Sequence, residues 1–326
     1  MTKVLIAPAP LAGLEGGFAQ ALKGAGFDLV YPAHRHQLSE DELLAILPGI
    51  RASLAGSEPY THKVLKAHPQ LRVIARAGVG YDAVDVEAAT ELGVAVCFAP
   101  GTNQDSVAEH TFTLILALAK GLIGQHAGTC ALKWPRRANL PLRGQVLGIA
   151  GLGRIGKAVA LRGECFGMKL MAYEPYPDNA FVAQHGIRLV SFEELLAQSD
   201  YLTLHMPATP QSKHMINRDS LRRMKPTAFL VNTARGTIVK ETDLIEALQQ
   251  GRLAGAGLDV FEDEPPADCA LFHMDNVVVT PHAAGVDLKS RDDMAYSAAT
   301  AIVSLSRGEW PAEKIVNPEV RARFRW

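Results

Sequence analysis

The stretch FLVNTARGTIV, residues 229–239, begins as an apolar strand and then places Asn232, Thr233 and the guanidinium of Arg235 before Ile238 and Val239 resume. A guanidinium at a strand end either snorkels to the surface or meets an anion. Its planar fork fits a carboxylate through paired charge-assisted hydrogen bonds, which an ammonium does not reproduce. A second reactive type stands downstream, where His282 closes the run NVVVTPH; strand C-termini in open α/β sheets are where ligands bind. Imidazole, with an ordinary pKa near ~6.5, takes and returns a proton near neutrality. The stretch LDVFEDEPP supplies acids just after the preceding strand, one of which can hydrogen-bond and orient that ring. Anion clamp, proton carrier and carboxylate together suit the oxidation of a secondary alcohol bearing a carboxylate, given a hydride acceptor.

A hydride acceptor has its own signature. In GIAGLGRIGKAVA, Gly151, Gly153 and Gly156 fall in GxGxxG spacing, after the apolar run 145–150, before the helical pattern KAVALRGECFGM, and ahead of KLMAYE ending in Glu174. In that context the first glycine turns the chain, the second admits a pyrophosphate close to the backbone, and the third lets helix and strand pack closely. The helix N-terminus presents amides to the phosphates. Glu174 accepts hydrogen bonds from a ribose diol and repels a 2′-phosphate, and the PYPD that follows holds no cation. NAD is therefore expected rather than NADP.

The elements that must carry these residues show as alternation. Short apolar runs at residues 4–7, 28–31, 52–55, 71–76 and 95–98 are separated by helix-like stretches such as SEDELLAILPGI; from residue 145 the pattern restarts with QVLGIA, KLMAYE, YLTLHM, AFLVNT, AGAGLDV and NVVVTPH. Two α/β units with parallel sheets follow from it, and 326 residues at 48% apolar content suffice for two cores. The tail DMAYSAATAIVSLSRGEW reads as a helix that packs back on the first unit, so the second becomes an insertion: 1–100 plus 286–326, and 101–285. Between them, DSVAEHTFTLILALAKGLIG is apolar around too much of its circumference for a surface helix. It is either an interdomain core helix or partly covered by a second copy of the chain, which makes a homodimer.

Composition removes other classes. Lys plus Arg (33) nearly balances Asp plus Glu (34) with no basic run, so no nucleic-acid partner is expected. Cys97, Cys130, Cys165 and Cys269 are scattered without CxxC spacing, which supports neither a metal site nor a disulfide framework and points to a reducing, cytoplasmic setting. No apolar run has the length of a membrane span. KVLIAPAPLAGL, interrupted by Pro8 and Pro10, reads as an opening strand and turn rather than a secretory signal.

The ordered stretches VIARAGVGYDAVD, GLGRIG, VNTARG, AGAGLDVFEDEPP and NVVVTPHAAG make the chain, from residue 71 to 318, closely resemble the D-isomer-specific 2-hydroxyacid dehydrogenases, which include phosphoglycerate dehydrogenases and glyoxylate/hydroxypyruvate reductases. The resemblance implies a flavodoxin-like substrate domain with an inserted Rossmann NAD-binding domain, both doubly wound. It implies that Arg235 binds the substrate carboxylate, that His282 is the acid/base, and that Glu264, directly before Pro265, is its partner. Asp259 is implied to hold the nicotinamide carboxamide, and Arg154 and Ile155 to meet the pyrophosphate. The loop ARAGVGYD, with amides around Val79 and Gly80 and with Arg76 nearby, is implied to bind the same carboxylate across a cleft that closes on hinges near residues 100–101 and 285–286. Trp134 matches a tryptophan that in some relatives reaches the partner's active site; the alternative is a loop anchor.

Phosphoglycerate dehydrogenases tend to carry an Arg-Ser-x-Thr-Lys type stretch where this chain has LAGSEPYT, with Ala55 and Pro59 where the cations would fall and Glu58 beside them. A small unphosphorylated 2-keto acid, glyoxylate or hydroxypyruvate, is the first expectation. The alternative is a D-3-phosphoglycerate dehydrogenase without a regulatory domain, using Arg136 or Arg137 for the phosphate. The sequence runs to Trp326 without a stretch for the appended regulatory domain of longer relatives, so no serine-type feedback site is expected. The formate dehydrogenase branch carries glutamine where this chain has Glu264. An NADH-sensing scaffold like the corepressor branch would bind NADH without turnover.

Overall fold

Apolar runs alternating with capped helices produce two parallel sheets in this computed structural model, which describes every residue except Arg35 and Arg137. The chain divides into Met1–Asn103 with Val286–Trp326, and Gln104–Gly285. In the first unit, β1 (Thr2–Ile6), β2 (Phe27–Val30), β3 (Ile50–Ala55), β4 (Val73–Arg76) and β5 (Ala95–Cys97) form one sheet in the order β2-β1-β3-β4-β5, all parallel. This is the flavodoxin-like order expected from the sequence. Strands β3 to β5 read as continuous apolar runs because helices cover both faces. Those helices start where the sequence supplies an oxygen: Ser39, Thr61 and Asp85 each accept from a backbone amide of the first turn. Helix Leu288–Ser306 returns the chain to this unit, sinking Ala295, Ala298, Ala299 and Ile302 against Val4, Ile6, Leu54 and Val73.

In the second unit, β6 (Val146–Ala150), β7 (Lys169–Tyr173), β8 (Arg188–Leu189), β9 (Tyr201–Leu204), β10 (Phe229–Asn232), β11 (Gly255–Leu258) and β12 (Val277–Val279) form a parallel sheet in the order β12-β11-β10-β9-β6-β7-β8. The order reverses between β6 and β9, and a doubly wound sheet binds its ligand at such a switch point. Helix Gln104–Lys120 buries Ala108, Phe112, Leu114 and Ile115 within this unit, so its apolar circumference is largely covered by its own chain. The excess lies beyond Gly121: helix Leu122–Cys130 buries none of its residues and exposes Leu122 and Ile123. No single helix among the described residues is long and apolar enough to cross a membrane.

Candidate active site

The glycine turn sits at the C-terminal end of β6, at the switch point. Gly151 has φ +94°, and a Cβ there would lie 2.8 Å from the backbone of His205 and Met206. A Cβ on Gly156 would lie 2.1 Å from the Gly151 carbonyl oxygen, so only glycine lets the helix Arg154–Cys165 approach the strand. Gly153, the N-cap, carries no capping side chain and opens onto free space. Open space therefore lies at the Cα that begins a twelve-residue helix, beside its first amides. Arg154 is exposed beside it, while Ile155 packs partly into the core.

Glu174, just after β7, accepts from the amides of Leu152 (2.8 Å) and Tyr176 (2.9 Å). Each carboxylate oxygen accepts more than one bond, so the group braces the glycine turn and still presents acceptors to a diol. An adenine dinucleotide fits these residues: open amides for its phosphates and a carboxylate one strand away for its ribose.

The reactive side chains come from the ends of β10, β11 and β12. Asn232, fully buried, accepts from the Ala234 amide (3.0 Å) and donates to the Arg235 carbonyl (2.9 Å), folding the turn that carries Arg235. A Cβ on Gly236 would lie 1.9 Å from the Phe261 carbonyl, so this turn is pressed against the segment that bears Glu264. Glu264 accepts from His282 Nδ1 at 2.6 Å and from the Phe261 amide at 3.0 Å. Burial by itself would raise the Glu264 carboxyl, but the hydrogen bond and charge of His282, the Phe261 amide and the Arg235 guanidinium outweigh it and hold the group below the usual carboxylate range. An ionised carboxylate only accepts, so Nδ1 carries the ring proton and Nε2 offers its lone pair. The ring is 44% exposed, which leaves that edge accessible.

His282 has φ +51°, a left-handed conformation that costs a non-glycine residue on the order of 1–2 kcal/mol. Asp259 holds it there. The Asp259 carbonyl accepts from the His282 amide (2.8 Å), and its carboxylate accepts from Thr280 Oγ1 (2.6 Å) and the amides of Ala283 and Ala284 (both 2.9 Å). The resemblance implies a contact between Asp259 and the nicotinamide carboxamide; in this structure the residue is 0% exposed and its carboxylate is engaged by the loop. Because Thr280 gives its only hydroxyl proton to Asp259, it accepts from His110 Nε2 (2.9 Å), which fixes the His110 tautomer. Ser106 Oγ donates to the Ala284 carbonyl (2.7 Å), and Thr111 bonds Thr233 (3.0 Å). Helix Gln104–Lys120 thus props these loops with three polar residues that sequence reading missed. Their one signal was polarity inside an otherwise apolar helix.

In the first unit, β4 runs into the Gly78–Gly80 turn. Arg76 differs from the sequence expectation of a substrate contact. It is 8% exposed and lies under the turn, with Nε donating to the Gly80 carbonyl (2.9 Å) and Nη1 to the Ala55 carbonyl (3.2 Å). The Gly78 carbonyl accepts from the Ala99 amide (2.9 Å). In a planar trans peptide each carbonyl opposes the next N–H, so these two anchors turn the Val79 and Tyr81 amides outward. Trp134 is exposed, and Arg137 lies outside the described residues.

The description D-isomer specific 2-hydroxyacid dehydrogenase, NAD binding domain, matches residues 112–284, which contain the glycine turn, Arg235, Glu264 and His282. A glyoxylate reductase of Korarchaeum cryptofilum is 40% identical over 271 residues, 81% of each chain. The chain belongs to the D-isomer-specific 2-hydroxyacid dehydrogenase family. It is accordingly an NAD-linked oxidoreductase acting on the CH–OH group of a 2-hydroxy acid. A D-3-phosphoglycerate dehydrogenase of Mycobacterium leprae is 40% identical over 288 residues, 86% of this chain, which spans about half (54%) of that longer relative. Among solved structures, D-lactate dehydrogenase of Aquifex aeolicus complexed with NAD and lactic acid superposes with TM-score 0.84 at 29% identity, covering 97% of this dehydrogenase and 99% of that chain.

Proposed function

We propose that this dehydrogenase reduces a small unphosphorylated 2-keto acid, glyoxylate or hydroxypyruvate, to the D-2-hydroxy acid. The observation that carries the chemistry is the Glu264–His282 pair at 2.6 Å, with the Arg235 turn pressed against the same segment. Bound NADH supplies the hydride. Arg235 clamps the substrate carboxylate, and the Val79 and Gly80 amides of the first unit are read as substrate donors. Protonated His282 gives its Nε2 proton to the keto oxygen as the alcohol forms, while Glu264 stabilises the charged ring and fixes its orientation. In the oxidative direction neutral His282 takes the hydroxyl proton. Glu174 favours NAD over NADP.

The absence of phosphate recognition is supported at residues 55–59. Where the phosphorylated branch places cations, this chain has Ala55 and Pro59, with a Glu58 that is 1% exposed beside them. Relatives named D-3-phosphoglycerate dehydrogenase are as similar as those named glyoxylate reductase, which keeps 3-phosphohydroxypyruvate as the second reading. We further propose that Met1–Asn103 with Val286–Trp326 is the substrate domain, that Gln104–Gly285 is the NAD domain, and that a second copy of the chain covers exposed Leu122, Ile123, Leu132 and Trp134.

The test is NADH oxidation with glyoxylate, hydroxypyruvate, 3-phosphohydroxypyruvate, pyruvate and bulkier 2-keto acids, with Arg235→Ala alongside. An unphosphorylated two- or three-carbon acid should be preferred, with kcat/KM falling at least about a hundredfold in the variant. Preference for the phosphorylated acid would replace the first reading by the second. NADH binding without turnover on any acid would indicate a sensor.

A further inference from the structure

The segment after β11 holds a second histidine–glutamate pair that the mechanism does not use. Helix Glu241–Gln249 begins without a cap of its own, because Lys240 stands at the N-cap and an ammonium only donates. Glu262 supplies the acceptor from 21 residues away: its Oε2 accepts from the Glu241 amide at 3.1 Å, and Glu241 Oε1 accepts in return from the Glu262 amide at 2.6 Å. The other Glu262 oxygen meets His214 Nε2 at 2.5 Å. A carboxylate accepts, so Nε2 carries the proton. His214 is itself fixed, with φ +52° and an amide that donates to the Thr237 carbonyl at 2.9 Å. Two residues on, the Ile216 amide donates to the Ile238 carbonyl (3.0 Å) and the Ile216 carbonyl accepts from the Lys240 amide (2.8 Å).

Three segments, 214–216, 236–241 and 261–264, are thus tied together at one carboxylate, and two of them carry the reactive groups. Arg235 directly precedes Gly236, where a Cβ would lie 1.9 Å from the Phe261 carbonyl and 2.5 Å from the Glu262 nitrogen. Glu264 follows Glu262 by two residues and accepts from the Phe261 amide at 3.0 Å. The acids crowded here oppose that contact: burial, together with the charges of Glu262, Asp263 and Glu264, raises the Glu241 carboxyl. A donor from a third segment offsets the repulsion. We propose that His214 and Glu262 are positioning residues: their hydrogen bond holds the segment bearing Glu264 against the turn bearing Arg235, and so sets the separation between the carboxylate clamp and the proton carrier His282. This rests on the reading of Arg235 as the clamp and His282 as the acid/base. It assigns neither residue a contact with substrate. A 2-keto acid has its carboxylate and its keto carbon one bond apart, so clamp and proton carrier must stay in register; a misplacement of ~1 Å can cost about a hundredfold in rate.

His214→Ala removes the donor, and His214→Gln returns one, since a glutamine amide nitrogen falls near the place of Nε2. In His214→Ala kcat should fall about tenfold, with KM and the NADH Kd each within about twofold of wild type, because the clamp and the cofactor turn are intact and only their alignment with His282 is lost. His214→Gln should recover kcat to within about threefold of wild type. Glu262→Gln guards against an alanine variant that does not fold: its oxygen still caps Glu241 while an NH2 group faces His214, and kcat should fall to a similar extent. A wild-type kcat in folded His214→Ala or Glu262→Gln, with only the melting temperature lowered, would make the pair a support of the fold and overturn the proposal. So would a His214→Gln protein as slow as His214→Ala, or a loss of NADH affinity in proportion to kcat. Wild-type protein that turns over no 2-keto acid would sink the functional reading itself, a failure visible before any variant is made.

Discussion

Asp259 and Glu58 are both carboxylates sealed at the C-terminal end of a parallel sheet, one in each unit, and they steady their turns by different means. Asp259 gathers three neutral donors from the loop it positions, Thr280, Ala283 and Ala284, and so acts on His282 directly. Glu58 accepts one amide, that of Gly56, from its own turn, while the next turn is held separately by Arg76 through the Gly80 carbonyl. The difference follows from what each turn has to present. The Asp259 loop must hold an imidazole in a left-handed backbone conformation, so the strained residue's own amide, the two amides after it and the Thr280 hydroxyl before it are pinned. The Gly78–Gly80 turn must present amides, so what is pinned is the carbonyl behind them. Bracing of the imidazole loop should therefore govern turnover, and bracing of the amide turn should govern affinity.

The largest effect that would break this contrast is expected at Asp259→Asn. Three donors converge on the carboxylate, and an asparagine amide has one acceptor oxygen, so at least one donor would face an NH2 group. We expect kcat to fall about a hundredfold, the scale on which loss of a supporting partner disables a site. Steady-state kinetics with an independent NADH titration checks it. If NADH affinity falls in proportion to kcat, Asp259 touches the nicotinamide after all and the loop reading fails.

Glu264→Gln should cost less, about tenfold in kcat, because the glutamine oxygen can replace one of the two bonds to His282 and Phe261 while the charge that stabilises the protonated ring is lost. This acid sits between the two extremes: bound directly to its target like Asp259, yet half-open and close to a guanidinium like Glu58. An unchanged kcat would show that the pair only orients the ring.

Much of this site was legible because its motifs are local in sequence. The spacing of Gly151, Gly153 and Gly156 carries its own steric reason, and VNTARG and FEDEPP place Arg235 and Glu264 beside the strands that carry them. What stayed hidden depends on separation in sequence or on depth. His110 and Thr280 are 170 residues apart and meet only because helix Gln104–Lys120 crosses beneath β12. Asp259 and Arg76 have the right types for ligand contacts, and only burial and hydrogen bonding show that they brace loops. Glu58 stood in the sequence only as an acid beside the missing cations; one glycine, Gly56, lets its carboxylate fold back onto the backbone of its own turn. The two sheets needed no such detail, since runs of apolar residues with capped helices between them leave a parallel arrangement as the outcome that buries both faces.

The smallest effect is the one that separates the acids by sign. The Glu264 carboxyl lies below its ordinary value, so its contribution to stability is present above the unfolded pKa and is lost as pH falls through the lowered folded value. The Glu58 carboxyl lies above its ordinary value, so its contribution is fully present below the unfolded pKa and is lost as pH rises through the raised folded value. Subtracting the melting temperature of Glu264→Gln from that of wild type should give a difference that shrinks as pH is lowered from neutrality. The same subtraction for Glu58→Gln should give a difference that grows. Each shift is expected to be small, because the first group is open to solvent and the second keeps a cationic neighbour that offsets part of its burial. Parallel slopes for the two variants would mean that folding favours the ionised form of the buried acid, as it does that of Glu264.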